Sequence, residues 1–262
     1  MQIWGKIVGG TAGLALGGPI AALLGVMAGH AVDQYVLEGR PSSETAPAAP
    51  RDPKDHPGLR EIAFTIGVIA LGAKMARVDG DVTRDEVEAF RSFFRVPPGE
   101  EPNVERFFNL AKRDAAGFEP YARQVAALFP DAPEVLENVM EGLFDIAKAD
   151  GKVTAEEAEY LANVAAIFGL DSNRFERAKA AALGVMECEP CVILGIDPLA
   201  TDEQIREAWL RQVRANHPDR LIAQGLPEEA IQVANRKLAL INDAYDRLRR
   251  QRGLTAAPAP AA

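Results

Sequence analysis

Cysteine is nearly absent from this 262-residue chain: the two present, Cys188 and Cys191, form a single C-x-x-C pair. No second pair follows, the histidines lie far off in sequence, and no strand–helix–strand pattern surrounds them. Neither a zinc module nor a thioredoxin-like redox motif is indicated. They read as small side chains at a helix start, and two free thiols suit the reducing cytosol. Aromatic residues make up only 6%, and no run alternates in the period-two manner of a half-buried strand. Acidic residues outnumber basic ones, for a net charge of -9. The chain as a whole therefore lacks the cationic footprint that nucleic acid requires. No serine or cysteine nucleophile accompanies a histidine in a triad-like setting, so catalysis by this chain is not expected.

What is present is apolar, alanine-rich and helical in its spacing, and the expected class is all-α. From Ile7 to Val32 there is no acidic or basic side chain apart from His30. As a helix this run would span roughly 39 Å, more than a bilayer core of about 30 Å. Gly5, Gly9, Gly13 and Gly17 recur every four residues, a spacing that lines one helix face and lets two helices approach closely in lipid. Residues 1–37 are therefore expected to form a glycine-rich membrane helix, with a homodimer through those four glycines. A cleaved signal peptide is disfavoured by the length of the run, and a glycine-rich hairpin lying on the membrane or packed against the next domain is the remaining alternative. Residues 38–57 (EGRPSSETAPAAPRDPKDHP) are expected to be an extended tether.

Residues 58–186 carry a helical pattern with an internal repeat. AKMARVDGDVTRDEVEAF (73–90) matches FDIAKADGKVTAEEAEYL (144–161) at an offset of 71 residues. Thr83 with Glu86, and Thr154 with Glu157, each have the spacing of a capping box. PNVERFFNLAKRDAAG and YARQVAALF read as two further helices between the copies. An EF-hand reading fails, because Met75 and Arg77, or Ile146 and Lys148, fall where acidic ligands are needed. No metal site is expected.

Residues 187–253 hold the most specific signal. A basic amphipathic stretch, DEQIREAWLRQVRAN (202–216), meets His217, Pro218 and Asp219, and Pro218 should stop the incoming helix. A turn, RLIAQGLPEE, precedes a second helix from Pro227 to about Arg250. The expected product is an antiparallel hairpin with His-Pro-Asp at its tip. Val192, Leu194, Ile205, Ala208, Val213, Leu238, Ile241 and Tyr245 are its expected core. Residues 254–262 are expected to be a disordered tail.

ILGIDPLATDEQIREAWLRQVRANHPDR followed by LINDAYDRL resembles a J domain, the module by which DnaJ-like cochaperones stimulate Hsp70 ATPases. The length of RLIAQGLPEEAIQVANRKLALINDAYDRLRRQRG is similar to that of the DjlA family of membrane-anchored bacterial cochaperones. The repeat-bearing middle likewise resembles the TerB-like bundle of that family. The resemblance implies binding of a DnaK-type Hsp70 through His217, Pro218 and Asp219, with Arg206, Arg211, Arg214 and Arg220 as the cationic set. Leu210 and Glu207 depart from the basic run usual on that face. It also implies an inner-membrane, single-pass arrangement with the C-terminal domains in the cytoplasm. No cofactor follows from the resemblance, and the client is left open. Neither a Gly/Phe-rich stretch nor a repeated C-x-x-C module of general DnaJ proteins occurs. The competing reading is a metal- or envelope-stress-responsive TerB-like scaffold in which the J domain only recruits Hsp70.

Overall fold

A computed structural model describes residue 20 and residues 57–78, 101–113, 117–149, 151–183 and 190–253. Ten helices and no strand lie among these described residues, so the chain is all-α as expected.

The first described helix, α1 (Pro57–Met75), carries apolar side chains on all sides, and every residue from Ile62 to Ala76 is buried. A helix that is apolar all round belongs in the middle of a bundle. Helices α2 (Glu101–Arg113), α3 (Glu119–Leu128) and α4 (Pro133–Ala147) pack around it. Two of them, α2 and α3, overlap the stretches expected to be helical, 102–117 and 121–129. Helix α5 (Ala155–Ile167) covers α3 and α4, and α6 (Ser172–Leu183) lies along α4. Gly67 is needed at the α1–α3 crossing: a Cβ there would overlap the Val125 side chain. Ile20 fills the same region, fully buried, and its N–H donates to Gln124 Oε1 at 3.2 Å.

The start of α5 is built as its residues dictate. Thr154 Oγ1 accepts from the Glu157 N–H, and Glu157 Oε2 accepts from the Thr154 N–H at 2.8 Å. Glu157 is thus used as a helix cap. The matching box at Thr83 and Glu86, the glycines Gly5, Gly9, Gly13 and Gly17, the tether up to residue 56 and Cys188 lie outside the described residues, and Pro57, expected to end the tether, already begins α1.

Four helices follow: α7 (Pro190–Leu194), α8 (Asp202–Ala215), α9 (Pro218–Ala223) and α10 (Glu228–Gln251). Cys191 is buried in the first turn of α7. Helices α8 and α10 run antiparallel. Asp202 at the start of α8 pairs with Arg252 just past α10 at 2.9 Å. Further along, Trp209 stacks on Tyr245, with centroids 4.4 Å apart and planes at 5°, and its Nε1–H donates to Asn242 Oδ1 at 2.8 Å. Trp209 therefore belongs to the packing between these helices. Leu194, Ile205, Ala208, Ile241 and Tyr245 are buried as expected, with Val213 packed against that core, whereas Leu238 is only half-buried. Two expectations need correction. Val192 is 41% exposed, because α7 is too short to bury more than the side holding Cys191 and Leu194. The segment after Asp219 is not a plain turn: it forms α9. Helix α9 ends where Gly225, at φ 74°, permits the Leu226 N–H to bond back to Leu221 O.

Candidate functional site

Helix α8 begins at a second capping box, Thr201 with Gln204, and ends at Asn216. The next residue, His217, is in extended conformation and serves as N-cap of α9, with Pro218 at the first helical position. Proline suits that position because its missing N–H is not required and its φ is already helical. His217 Nδ1 accepts from the Asp219 N–H at 3.3 Å. His217 is 53% and Asp219 87% exposed. The tip is therefore presented to solvent and internally braced.

The four arginines divide into two groups. Arg206, Arg211 and Arg214 are exposed on α8, and among the described residues their side chains form no ion pair. Arg220, on α9, lies 2.7 Å from Glu134 of α4. That contact lies off the N–H directions, and the buried Glu134 Oε1 receives no directed hydrogen bond. Arg220 is thus held electrostatically by the bundle.

Other contacts fix α9 to the bundle as well. Leu221, Leu226, Ala230 and Ala234 are part of the same hydrophobic core as α1, α3 and α4. Arg60 of α1 donates to Gln224 O at 3.3 Å. The His-Pro-Asp tip is mounted on the bundle through its own flanking helices.

Behind the tip lies a buried polar network. Lys237 of α10 donates to Glu137 Oε1 at 2.8 Å and to Asn138 Oδ1 at 3.0 Å. Since an ammonium only donates, Asn138 must face it with oxygen and turn its amide nitrogen the other way. That nitrogen donates to Asn216 Oδ1 at 3.2 Å, and Asn216 Nδ2 donates to Gln212 O at 2.9 Å. Glu137 also accepts from Arg177 Nε at 3.1 Å and Arg177 Nη2 at 3.0 Å. Burial alone would raise the Glu137 carboxyl, but the attraction of Lys237 and the bonds from Arg177 overcome it and hold the pKa at about 2. Glu141 differs. Burial, helped by Asp145 and Glu137, pushes it up to about 7 against the pull of Lys237. Lys237 lies 3.6 Å away but makes its hydrogen bonds to Glu137 and Asn138, and Glu141 Oε2 has no hydrogen-bond partner. At the bundle edge Arg236 pairs with Asp145 at 2.8 Å.

A cleft of about 640 Å³ opens between α8 on one side and α4 and α6 on the other, next to the tip. The sequence pointed to the α8 side of it; the bundle side, with Asn173 and Arg174, was not foreseen. Among the described residues, no group of three or more His, Cys, Asp and Glu residues is arranged to hold a metal ion.

Residues 65–180 match the family "Tellurite resistance protein TerB", and residues 1–51 match "Co-chaperone DjlA transmembrane domain". Nearly the whole chain aligns with curated relatives named "Co-chaperone protein DjlA". That of Coxiella burnetii is 25% identical, covering 95% of this chain and 98% of the relative. That of Photobacterium profundum is 25% identical over 96% and 99%, and that of Escherichia coli K12 22% identical over 97% and 99%. The chain is similar to DjlA co-chaperones over nearly its full length. No solved structure matches it. The TerB match falls on the bundle α1–α6, and the DjlA transmembrane match associates the glycine-rich N-terminal segment with a membrane. No helix among the described residues is long and apolar enough to cross one. The His217–Asp219 tip lies in the remaining, C-terminal part of the chain.

Proposed function

We propose that residues 187–253 act as a J domain that binds a DnaK-type Hsp70 and stimulates its ATP hydrolysis. The observation that carries this reading is the exposed His217-Pro218-Asp219 tip, braced as a helix start, next to a helix α8 that exposes Arg206, Arg211 and Arg214. An arginine face on a chain of net charge -9 suits an acidic protein surface, which it would steer and orient. Tip binding then promotes hydrolysis only by favouring one Hsp70 conformation over another. The bond that breaks is in the Hsp70's ATP, and this chain supplies no reacting group. Relatives named as co-chaperones over nearly their full length support the same role.

The N-terminal segment would hold the chain as a single-pass protein of the inner membrane, with α1–α10 in the cytoplasm where Hsp70 and ATP are found. Clients would then be membrane-proximal. Pairing through Gly5, Gly9, Gly13 and Gly17 would make the protein a dimer. Replacing Gly9 and Gly13 by leucine should weaken self-association in detergent, and unchanged association would sink that part. Binding of ATP-loaded DnaK-type Hsp70 to the full chain in nanodiscs tests the main reading. Affinity should fall as salt rises, and Asp219→Asn should abolish binding; salt-independent binding untouched by Asp219→Asn would refute it.

A further inference from the structure

We infer that the Hsp70 bound at the His217 tip is contacted from two sides, with helix α6 of the TerB-matched bundle forming the second wall of the docking surface. The inference rests on the proposed Hsp70 reading and extends it to residues outside the J-like segment. The cleft beside the tip carries Arg211 and Arg214 on one wall and Asn173 and Arg174 on the other. Arg220, which directly follows Asp219, lines the same space. A partner that covers the tip and the arginine face of α8 thus meets α6.

Its charge suits an acidic occupant. Five arginines line the cleft against three carboxylates, Glu134, Asp171 and Glu207. Arg177 is mostly taken up by Glu137 and Arg220 by Glu134. Arg211 and Arg214 are left, with Arg174 shared with Glu137 at 3.2 Å. The acidic surface of the Hsp70 is the occupant these groups fit.

The second wall is fixed in place. Moving α6 and α4 away from α8 would break the buried bonds from Lys237 and Asn138 and expose Leu221 and Leu226. The tip and the α6 wall therefore meet the Hsp70 as one surface. The TerB-matched bundle becomes part of partner recognition, and is more than a spacer between membrane and tip.

Asn173 is the position for the test. It is exposed, uncharged and lies in the first turn of α6, where an added carboxylate favours the helix. Stimulation of DnaK-type Hsp70 by the full chain in nanodiscs is titrated for wild type, Asn173→Glu, Asn173→Gln and Asn163→Glu, the last on the exposed face of α5. Asn173→Glu should raise the half-maximal concentration about fivefold at low salt, less at high salt, with maximal stimulation retained. Asn173→Gln and Asn163→Glu should behave as wild type. If Asn173→Glu matches wild type or improves on it while His217→Gln is inactive, the docking surface ends at α8 and the inference is overturned alone. If wild type gives no stimulation, the Hsp70 reading falls with it.

Discussion

The side-chain amide of Asn138 donates to Asn216 Oδ1 at 3.2 Å, joining helix α4 of the bundle to the residue immediately before His217. Asn216 is fully buried, so neither partner has water to fall back on. The functional tip is therefore tied by a buried hydrogen bond to a helix some eighty residues earlier in the chain. Asn138→Ala leaves Asn216 Oδ1 unpaired and removes one acceptor from Lys237. The loss should be about 2–3 kcal/mol, read by urea unfolding followed by circular dichroism. An unchanged midpoint would show that the contact does not hold the two parts together.

Glu141 makes stability depend on pH near neutrality. Its folded pKa of about 7 lies above the ordinary 4.5, so the folded state holds the proton more tightly. The corresponding stability is fully present below about pH 4.5 and is lost as pH rises through about 7. That loss amounts to about 3 kcal/mol. Glu137 acts in the opposite sense, lowered to about 2, so its contribution is lost only as pH falls from 4.5 towards 2. Between pH 5 and 8 wild type should therefore lose several degrees of melting temperature. Glu141→Gln should flatten that slope and melt above wild type at pH 8. A variant that keeps the wild-type slope would show that Glu141 is not its source.

Lys237 is the hub of the same network, and its removal leaves Glu137 and Glu141 buried with less compensation. Lys237→Met should cost about 3–5 kcal/mol at pH 7. The double variant Lys237→Met with Glu137→Gln should recover part of that cost, because the buried charge leaves with its partner. Thermal unfolding of the two proteins decides it; equal midpoints would argue that the pairing is not the source of the loss.

Much of this was readable from local pattern. Thr154 and Glu157 announced the start of α5, the stretches PNVERFFNLAKRDAAG and YARQVAALF announced α2 and α3, and Pro218 marked the end of α8 where the chain does break. His217, Pro218 and Asp219 stood out because they occur between two helices of matching period. Residues 218–223 were misjudged because Gln224-Gly225-Leu226-Pro227 is strong turn chemistry, which masked the single helical turn before it. Lys237 resisted reading for a different reason. A lysine inside NRKLALI looks solvated, and only the arrival of Glu137 and Asn138 from a distant helix makes its burial tolerable. The α6 wall of the cleft was invisible for the same cause, since Asn173 and Arg174 acquire their meaning from packing against α8.

Stimulation of an Hsp70 is the role ascribed to the braced tip. Single-turnover ATP hydrolysis by a DnaK-type Hsp70, with the full chain in nanodiscs, wild type against His217→Gln, tests it most directly. Wild type should accelerate hydrolysis and His217→Gln should not, while both melt at the same temperature. Acceleration by neither protein, or equally by both, would contradict the assignment of function to His217, Pro218 and Asp219.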